Sequence, residues 1–145
     1  MATHRVPPEL EWHIDKDKSL SEYDAAYIDA LIRFAGKELG KKLSSIIDAP
    51  CGYGRLDGLL RDSGYYVYGI DINRELIAEA KRAFPKNTND YGVGDIRNFR
   101  LNRKFDVYVS WFTSFGYFYD KGNAEVLANA KAHLNRGGIM IIDVS

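Results

Sequence analysis

Apolar residues in this chain come in short dense runs separated by polar stretches of helical period. Five runs, 44–48, 65–70, 91–96, 105–111 and 139–142, are predicted strands, and pairs such as Ile46-Ile47 suit strands covered on both faces. Between them lie predicted helices. Ser19-x-x-Glu22 forms a capping box, after which Tyr23, Tyr27, Ala30, Leu31 and Phe34 recur at helical spacing until Gly40. Leu56 to Ser63 makes a short helix ended by Gly64, and Asn73 caps another in which Leu76, Ile77, Ala80 and Phe84 face inward before Pro85. Asn123 is expected to cap a further helix with Val126, Leu127, Ala130 and Leu134 at core spacing. His133 falls in its last turn, where the helix dipole favours a cation, and reads as structural rather than catalytic. Asn135-Arg136-Gly137-Gly138 then turns into the fifth strand. Strand and helix alternate, so the fold class is α/β, a doubly wound parallel sheet with helices on both faces. Residues 1–18 read as a loosely ordered polar arm and 19–145 as one domain.

The chemistry concentrates where the first strand runs into Asp48-Ala49-Pro50-Cys51-Gly52-Tyr53-Gly54. Gly52 and Gly54 let the backbone turn sharply and approach a ligand with no Cβ in the way. The second strand ends in Asp71, about 20 positions after the first strand's loop, where doubly wound folds put a carboxylate that accepts from ribose hydroxyls. A dinucleotide fingerprint needs Gly-x-Gly-x-x-Gly, but Asp57 stands in the third place and Gly58 falls one residue late. That weakens a nicotinamide-dependent oxidoreductase.

Asp48-x-x-Cys51-Gly52-x-Gly54 resembles motif I of class I S-adenosylmethionine (SAM)-dependent methyltransferases. The Gly94-Asp95-Ile96 ending of the third strand is similar to that family's adenine-binding motif, and Leu134-x-x-Gly137-Gly138 to its turn before strand five. Phe112-Thr113-Ser114-Phe115-Gly116-Tyr117-Phe118 resembles the loop after strand four in small-molecule members. The resemblance implies the strand order 3-2-1-4-5 and SAM as cofactor. It implies cofactor contacts from Asp48, Cys51, Gly52, Tyr53, Gly54, Asp71, Ile72, Asp95, Ile96 and Trp111, with Asp95 accepting from the adenine amino group and Ile96 packing on the ring. The competing reading of Asp95 is the cap of the following turn, Arg97-Asn98-Phe99-Arg100, and the order of the motifs favours the ligand role. A helix before strand one covers the pocket in this family, so Tyr23 joins Phe112, Ser114 and Tyr117 as candidates on the acceptor side. The activity implied is methyl transfer to a small molecule by in-line displacement, for which the protein must mainly align the groups, exclude water and tolerate a cation. Aromatic faces serve all three needs. The reading from another class is a non-catalytic SAM-binding or assembly module. No general base is singled out.

Composition narrows the partners. Among 145 residues, 20 basic and 20 acidic side chains balance, which leaves no global field toward nucleic acid or an anionic membrane. The fourth strand is not followed by Asn- or Asp-Pro-Pro-Tyr, the amino-methylating signature of DNA enzymes, which argues further against a nucleic-acid acceptor. His4, His13, His133 and Cys51 form no ligand-spaced cluster, so no metal is expected. A single cysteine excludes an intrachain disulfide and fits a reducing compartment; with no apolar run of about 20 residues, a cytoplasmic protein is expected. Cys51 belongs to the cofactor turn rather than serving as a nucleophile.

The resemblance stops shortly after the fifth strand, whereas class I methyltransferases continue with a helix and two strands. The expectation is therefore the N-terminal part of a longer polypeptide. An apolar edge at Ile139 to Ile142 would otherwise invite pairing into a homodimer.

Overall fold

The computed structural model describes residues 8–111 and 120–143, with side chains from residue 19 onward, that of Asp120 excepted. In chain order the elements are α1 (Pro8–Leu39), β1 (Ser45–Asp48), α2 (Asp57–Asp62), β2 (Tyr66–Asp71), α3 (Arg74–Ala83), β3 (Tyr91–Val93), β4 (Phe105–Ser110), α4 (Asp120–Ala132) and β5 (Leu134–Ile142). The strands form one sheet in the order β3-β2-β1-β4-β5, every pair parallel, as expected.

Alternation along the central strand sets the two faces. Ile46 joins Ile28 and Ile32 of α1, Leu60 of α2, and Val67, Val107 and Val109 of the sheet. Ile47 and Ala49 point the other way, into a cluster with Ile70, Phe99, Tyr108 and the α4 residues Val126 and Ala130. Helices thus cover both faces, and the apolar runs follow from that double burial.

The first helix departs from its sequence reading at both its start and its face. It begins at Pro8 rather than Ser19, so Ser19 lies inside it and the capping box does not form its start. Pro8 occupies the first position, where a missing N–H costs nothing. The buried stripe is Ser21, Ala25, Ile28 and Ile32, whereas Tyr23, Tyr27 and Phe34 are exposed and Ala30 faces solvent. Both sets recur at helical spacing. The set with Ile28 and Ile32 is buried because these two pack on Ile46, Val67, Val107 and Val109 of the sheet.

α4 differs as well. Asn123 lies within the helix rather than capping it, Leu127 is exposed, and Leu134 opens β5 instead of closing the helix. The third strand stops at Val93, short of the expected Ile96. Asn73 does cap α3, its side-chain oxygen accepting from the amides of Glu75 and Leu76 at 2.9 and 3.1 Å. His133 is buried and structural. Its Nε2 accepts from the Leu101 amide at 3.1 Å and its Nδ1 lies 2.8 Å from the Asn129 carbonyl oxygen. One nitrogen accepting and the other donating requires the neutral ring, in place of the cation that the helix end alone suggests.

At the N-terminal ends of the strands, Asp106 holds two loops together. Its Oδ2 accepts from the backbone N–H of Ser44 at 2.8 Å and its Oδ1 from the Asn135 amide at 3.0 Å. The turn 135–138 bulges out of β5 opposite this residue, where the pairing steps from Phe105↔Leu134 to Val107↔Ile139. Burial opposes the charge on Asp106, but the donors of Ser44, Asn135 and Ser45 outweigh it and hold the carboxyl below its ordinary range. A depressed folded pKa stabilises above the unfolded value, about 3.9, and that contribution fades as pH falls through the folded one. Asp106→Asn is expected to lose about 1 kcal/mol at neutral pH, and to close on the parent as the pH approaches about 3, in urea denaturation series.

Candidate cofactor site at the carboxyl edge of the sheet

β1 delivers a buried carboxylate, Asp48, directly into the loop 49–56, and β2 delivers a second, Asp71, to the same edge. Ligands of open parallel sheets bind beyond these carboxyl ends. The Asp71 Oδ2 accepts from the Gly52 N–H at 2.9 Å and its Oδ1 from the Asn73 N–H at 2.9 Å. Its backbone oxygen takes the Gly94 N–H at 3.0 Å. One residue therefore ties the glycine loop, the start of α3 and the end of β3 together.

The two glycines of the loop do different work. Gly52 has φ +59°, and a Cβ built on it meets nothing within 4 Å among the described residues, so open space lies over it. Gly54 has φ +82°, and its Cβ would collide with the Tyr91 hydroxyl at 2.7 Å and crowd Asp57 Oδ2 at 3.2 Å. The first leaves room for a ligand and the second lets the loop settle onto the protein below.

Asp48, Asp57 and Asp71 crowd beneath this loop. Burial, then the neighbouring Asp57 and Asp71 charges, push the Asp48 carboxyl well above the usual carboxylate range, with Arg55 partly opposing them. Burial also raises the Cys51 thiol, and the same three carboxylates raise it further, so Cys51 stays a thiol and fills space rather than attacking a substrate.

The remaining sequence candidates are spread around this centre. Tyr53 and Ile72 are exposed beside the loop and the end of β2. Asp95 follows β3 and takes up the turn role: its Oδ1 accepts from the Arg97 N–H at 2.9 Å, and its carboxylate pairs with the Arg97 guanidinium at 2.6 Å. The Arg97 guanidinium and N–H hold its carboxyl below the ordinary carboxylate range. Ile96 is buried in the cluster with Ile47 and Phe99. Trp111, just past β4, is tilted against Tyr27 with ring centroids 6.3 Å apart, and Tyr27 stacks on Tyr23 at 6.5 Å. Tyr23 is 69% exposed, so an aromatic strip of α1 faces outward next to the end of β4. Phe112, Ser114 and Tyr117 lie outside the described residues.

The pattern of the sequence did not single out Arg55. Its guanidinium leaves the glycine loop to meet Ser21 Oγ at 2.6 Å and Asp24 Oδ2 at 3.1 Å on α1. Asp57, Arg61 and Tyr91 were equally unmarked; the one available signal was an acid standing where a third glycine is otherwise usual. Tyr27 stands out in the sequence only by its helical spacing.

A cavity of about 730 Å³ sits at the opposite end of the sheet, lined among others by Lys37, Lys41, Lys42, Leu43 and Tyr65. Its lysines cluster at the C-terminus of α1, where cations offset the helix dipole, and Lys41 Nζ already donates to the Arg136 carbonyl oxygen at 3.0 Å. It is remote from the carboxyl edge and holds none of the carboxylates described above. Among the described residues, no group of three or more His, Cys, Asp or Glu could hold a metal ion, and no helix is long and apolar enough to cross a membrane.

Residues 46–138, more than half of the chain, match the methyltransferase domain family. The chain is 33% identical over 104 residues to the dTDP-3-amino-3,4,6-trideoxy-alpha-D-glucopyranose N,N-dimethyltransferase of Streptomyces venezuelae, covering 69% of this chain and 42% of that protein. It is 30% identical over 123 residues to the dTDP-3-amino-3,6-dideoxy-alpha-D-glucopyranose N,N-dimethyltransferase of Streptomyces fradiae, covering 83% and 45%. The crystal structure of Streptomyces venezuelae DesVI superposes with a TM-score of 0.76 at 25% identity, covering 96% of this chain and 58% of that one. The chain thus spans less than half the length of these two curated relatives.

The contact between Arg55 and α1 is enclosed, its two side chains only 16% and 10% exposed. Removing one partner of such a pair strands the other charge. Arg55→Met is expected to cost about 3 kcal/mol in urea denaturation. Hydrogen exchange should quicken in residues 21–28 while β1 and β4 keep their protection.

Proposed function

Since this chain belongs to the methyltransferase domain family, whose cofactor is S-adenosylmethionine, we propose that it binds that cofactor at the carboxyl edge of its sheet and acts in methyl transfer to a small-molecule acceptor. The observation that carries the reading is the Asp71 carboxylate, fixed by the Gly52 and Asn73 amides beside the open space over Gly52. Each of its oxygens accepts one backbone hydrogen and keeps a lone pair, enough for a ribose diol. We assign Asp48, Cys51, Gly52, Tyr53, Gly54 and Ile72 of the glycine loop and the neighbouring strand ends to the cofactor, with Asp95, Ile96 and Trp111. The Asp95 carboxylate would then serve Arg97 and the adenine amino group together.

The residues fit a cofactor of this charge. The carboxyl cluster of Asp48, Asp57 and Asp71 beneath the loop gives a negative potential, against which a sulfonium is favoured. The cofactor, when bound, supplies a methyl group on that sulfonium, open to in-line displacement. What the chain adds is alignment and exclusion of water.

For the acceptor we propose an amine on a sugar or a comparable small molecule, on the strength of the two relatives named for N,N-dimethyl transfer to dTDP-amino sugars. The outward aromatic strip of Tyr23, Tyr27 and Trp111 supports this, because aromatic faces accept both an apolar ring face and the ammonium that N-methylation leaves. A cytoplasmic setting is proposed from the single cysteine, Cys51, held as a free thiol.

Calorimetry with SAM and with NAD tests the cofactor. SAM should bind and NAD should not. Asp71→Ala removes a charged acceptor of two hydroxyl hydrogen bonds and frees the glycine loop, so SAM affinity should fall at least about tenfold. Tight NAD binding with no response to SAM would overturn the proposal.

A further inference from the structure

Asp57, the acid in the place of a third glycine, is fully buried, at 0% exposure. Its Oδ2 accepts from the Tyr91 hydroxyl at 2.9 Å, and that hydroxyl accepts from Arg61 Nη1 at 3.1 Å. Its N–H donates to the Gly54 carbonyl oxygen at 3.0 Å, so the residue is seated directly under the glycine loop. Its Oδ1, by contrast, is buried and meets no donor among the described residues. Asp48, another buried carboxyl, is its neighbour, and the Asp57 charge helps to push the Asp48 carboxyl above the usual range. Two neighbouring carboxyls shielded from water resist being ionised together, and a proton on Asp48 would supply the donor that Oδ1 lacks.

We propose that Asp48 keeps a proton, donates it to Asp57 Oδ1, and releases it when a sulfonium ligand occupies the space over the glycine loop, with Asp57 as the positioning residue. The inference rests on the cofactor reading above. In the step the Asp48 O–H bond breaks, its electron pair stays on the carboxylate, and the proton passes to the buffer; no oxidant or reductant is involved. The charges facing the pair come from every side. Asp71 at the end of β2 holds the proton on, while Arg55 in the loop opposes it, although Arg55 is itself shared with Asp24 of α1. Tyr91 of β3 and, behind it, Arg61 of α2 steady the Asp57 side. Cys51 in the loop and Tyr108 of β4, whose buried hydroxyl meets no partner among the described residues, are neutral neighbours that offer no compensating charge. An added positive charge nearby favours the second ionisation. S-adenosylhomocysteine keeps the adenosine and amino-acid parts but has a neutral sulfur, so comparing the two ligands isolates that charge.

The test is calorimetry of the chain with SAM and with S-adenosylhomocysteine, in two buffers of different ionisation enthalpy, over about pH 5 to 7, below the range in which the ligands' own amino groups titrate. SAM should release up to about one proton and bind more tightly as pH rises, by at most about tenfold per unit, while the homocysteine form releases none and its affinity stays level. Asp57→Asn puts an amide donor against Asp48, which is then ionised beforehand, and the proton release should vanish. Tyr91→Phe removes a donor that favours the Asp57 charge, so the rise in SAM affinity should move to higher pH; this variant decides the matter where Asp57→Asn does not fold. SAM binding without proton release, or equal release with both ligands, overturns the inference and leaves the cofactor reading intact. Binding of neither ligand overturns both.

Discussion

The carboxylate of Asp71 is the interaction on which the rest of the site depends. Without it, the Gly52 N–H at the bend of the loop and the Asn73 N–H at the head of α3 would have no protein acceptor, and nothing else polar in the described site joins the two. Backbone donors to a charged acceptor are among the stronger hydrogen bonds a protein makes. Because the same residue's carbonyl takes the Gly94 N–H, the relative heights of β1, β2 and β3 at their carboxyl ends are set from one position. The ligand-facing edge is thereby organised before any ligand arrives, which lowers the ordering cost of binding.

Negative charge is the second constraint. The edge concentrates Asp48, Asp57 and Asp71 under one loop, although the chain as a whole is neutral. Burying like charges costs stability, and the fold contains the cost with Arg55, with the Tyr91 hydroxyl and with the proton on Asp48. Arg55 has a second task, because its bonds to Ser21 and Asp24 fasten α1 across the loop. Charge balance at the site and the seating of the covering helix are thus a single arrangement, and the outward tyrosines of α1 take their position from it.

The sheet was legible in the sequence because burial on both faces leaves little freedom: Ile46-Ile47, the β2 run and the β4 run are dense apolar segments between turn signals. The strand order came from family resemblance rather than from any residue pattern. The glycine loop and Asp71 were legible because backbone turning and a spaced acid leave marks in sequence. The buried face of α1 was not, since Tyr23, Tyr27 and Phe34 recur at helical spacing as well as Ile28 and Ile32 do, and only contact with the sheet decides between them. Arg55 and Asp24 lie 31 positions apart, and Asp57 and Tyr91 lie 34 apart, distances at which local pattern carries no information. Asn123 misled because a good capping residue is also tolerated inside a helix, where here it stands four residues into α4.

The carboxyl edge with its carboxylates competes for a ligand with the lysine-lined cavity at the other end of the sheet. Amide chemical-shift mapping during titration with SAM separates them most directly. The account predicts that the largest shifts fall on Gly52, Gly54, Asn73 and Gly94, with Lys41, Lys42 and Gly64 unmoved. Shifts centred on Lys41, Lys42 and Gly64, with the Gly52 amide unchanged, would contradict it.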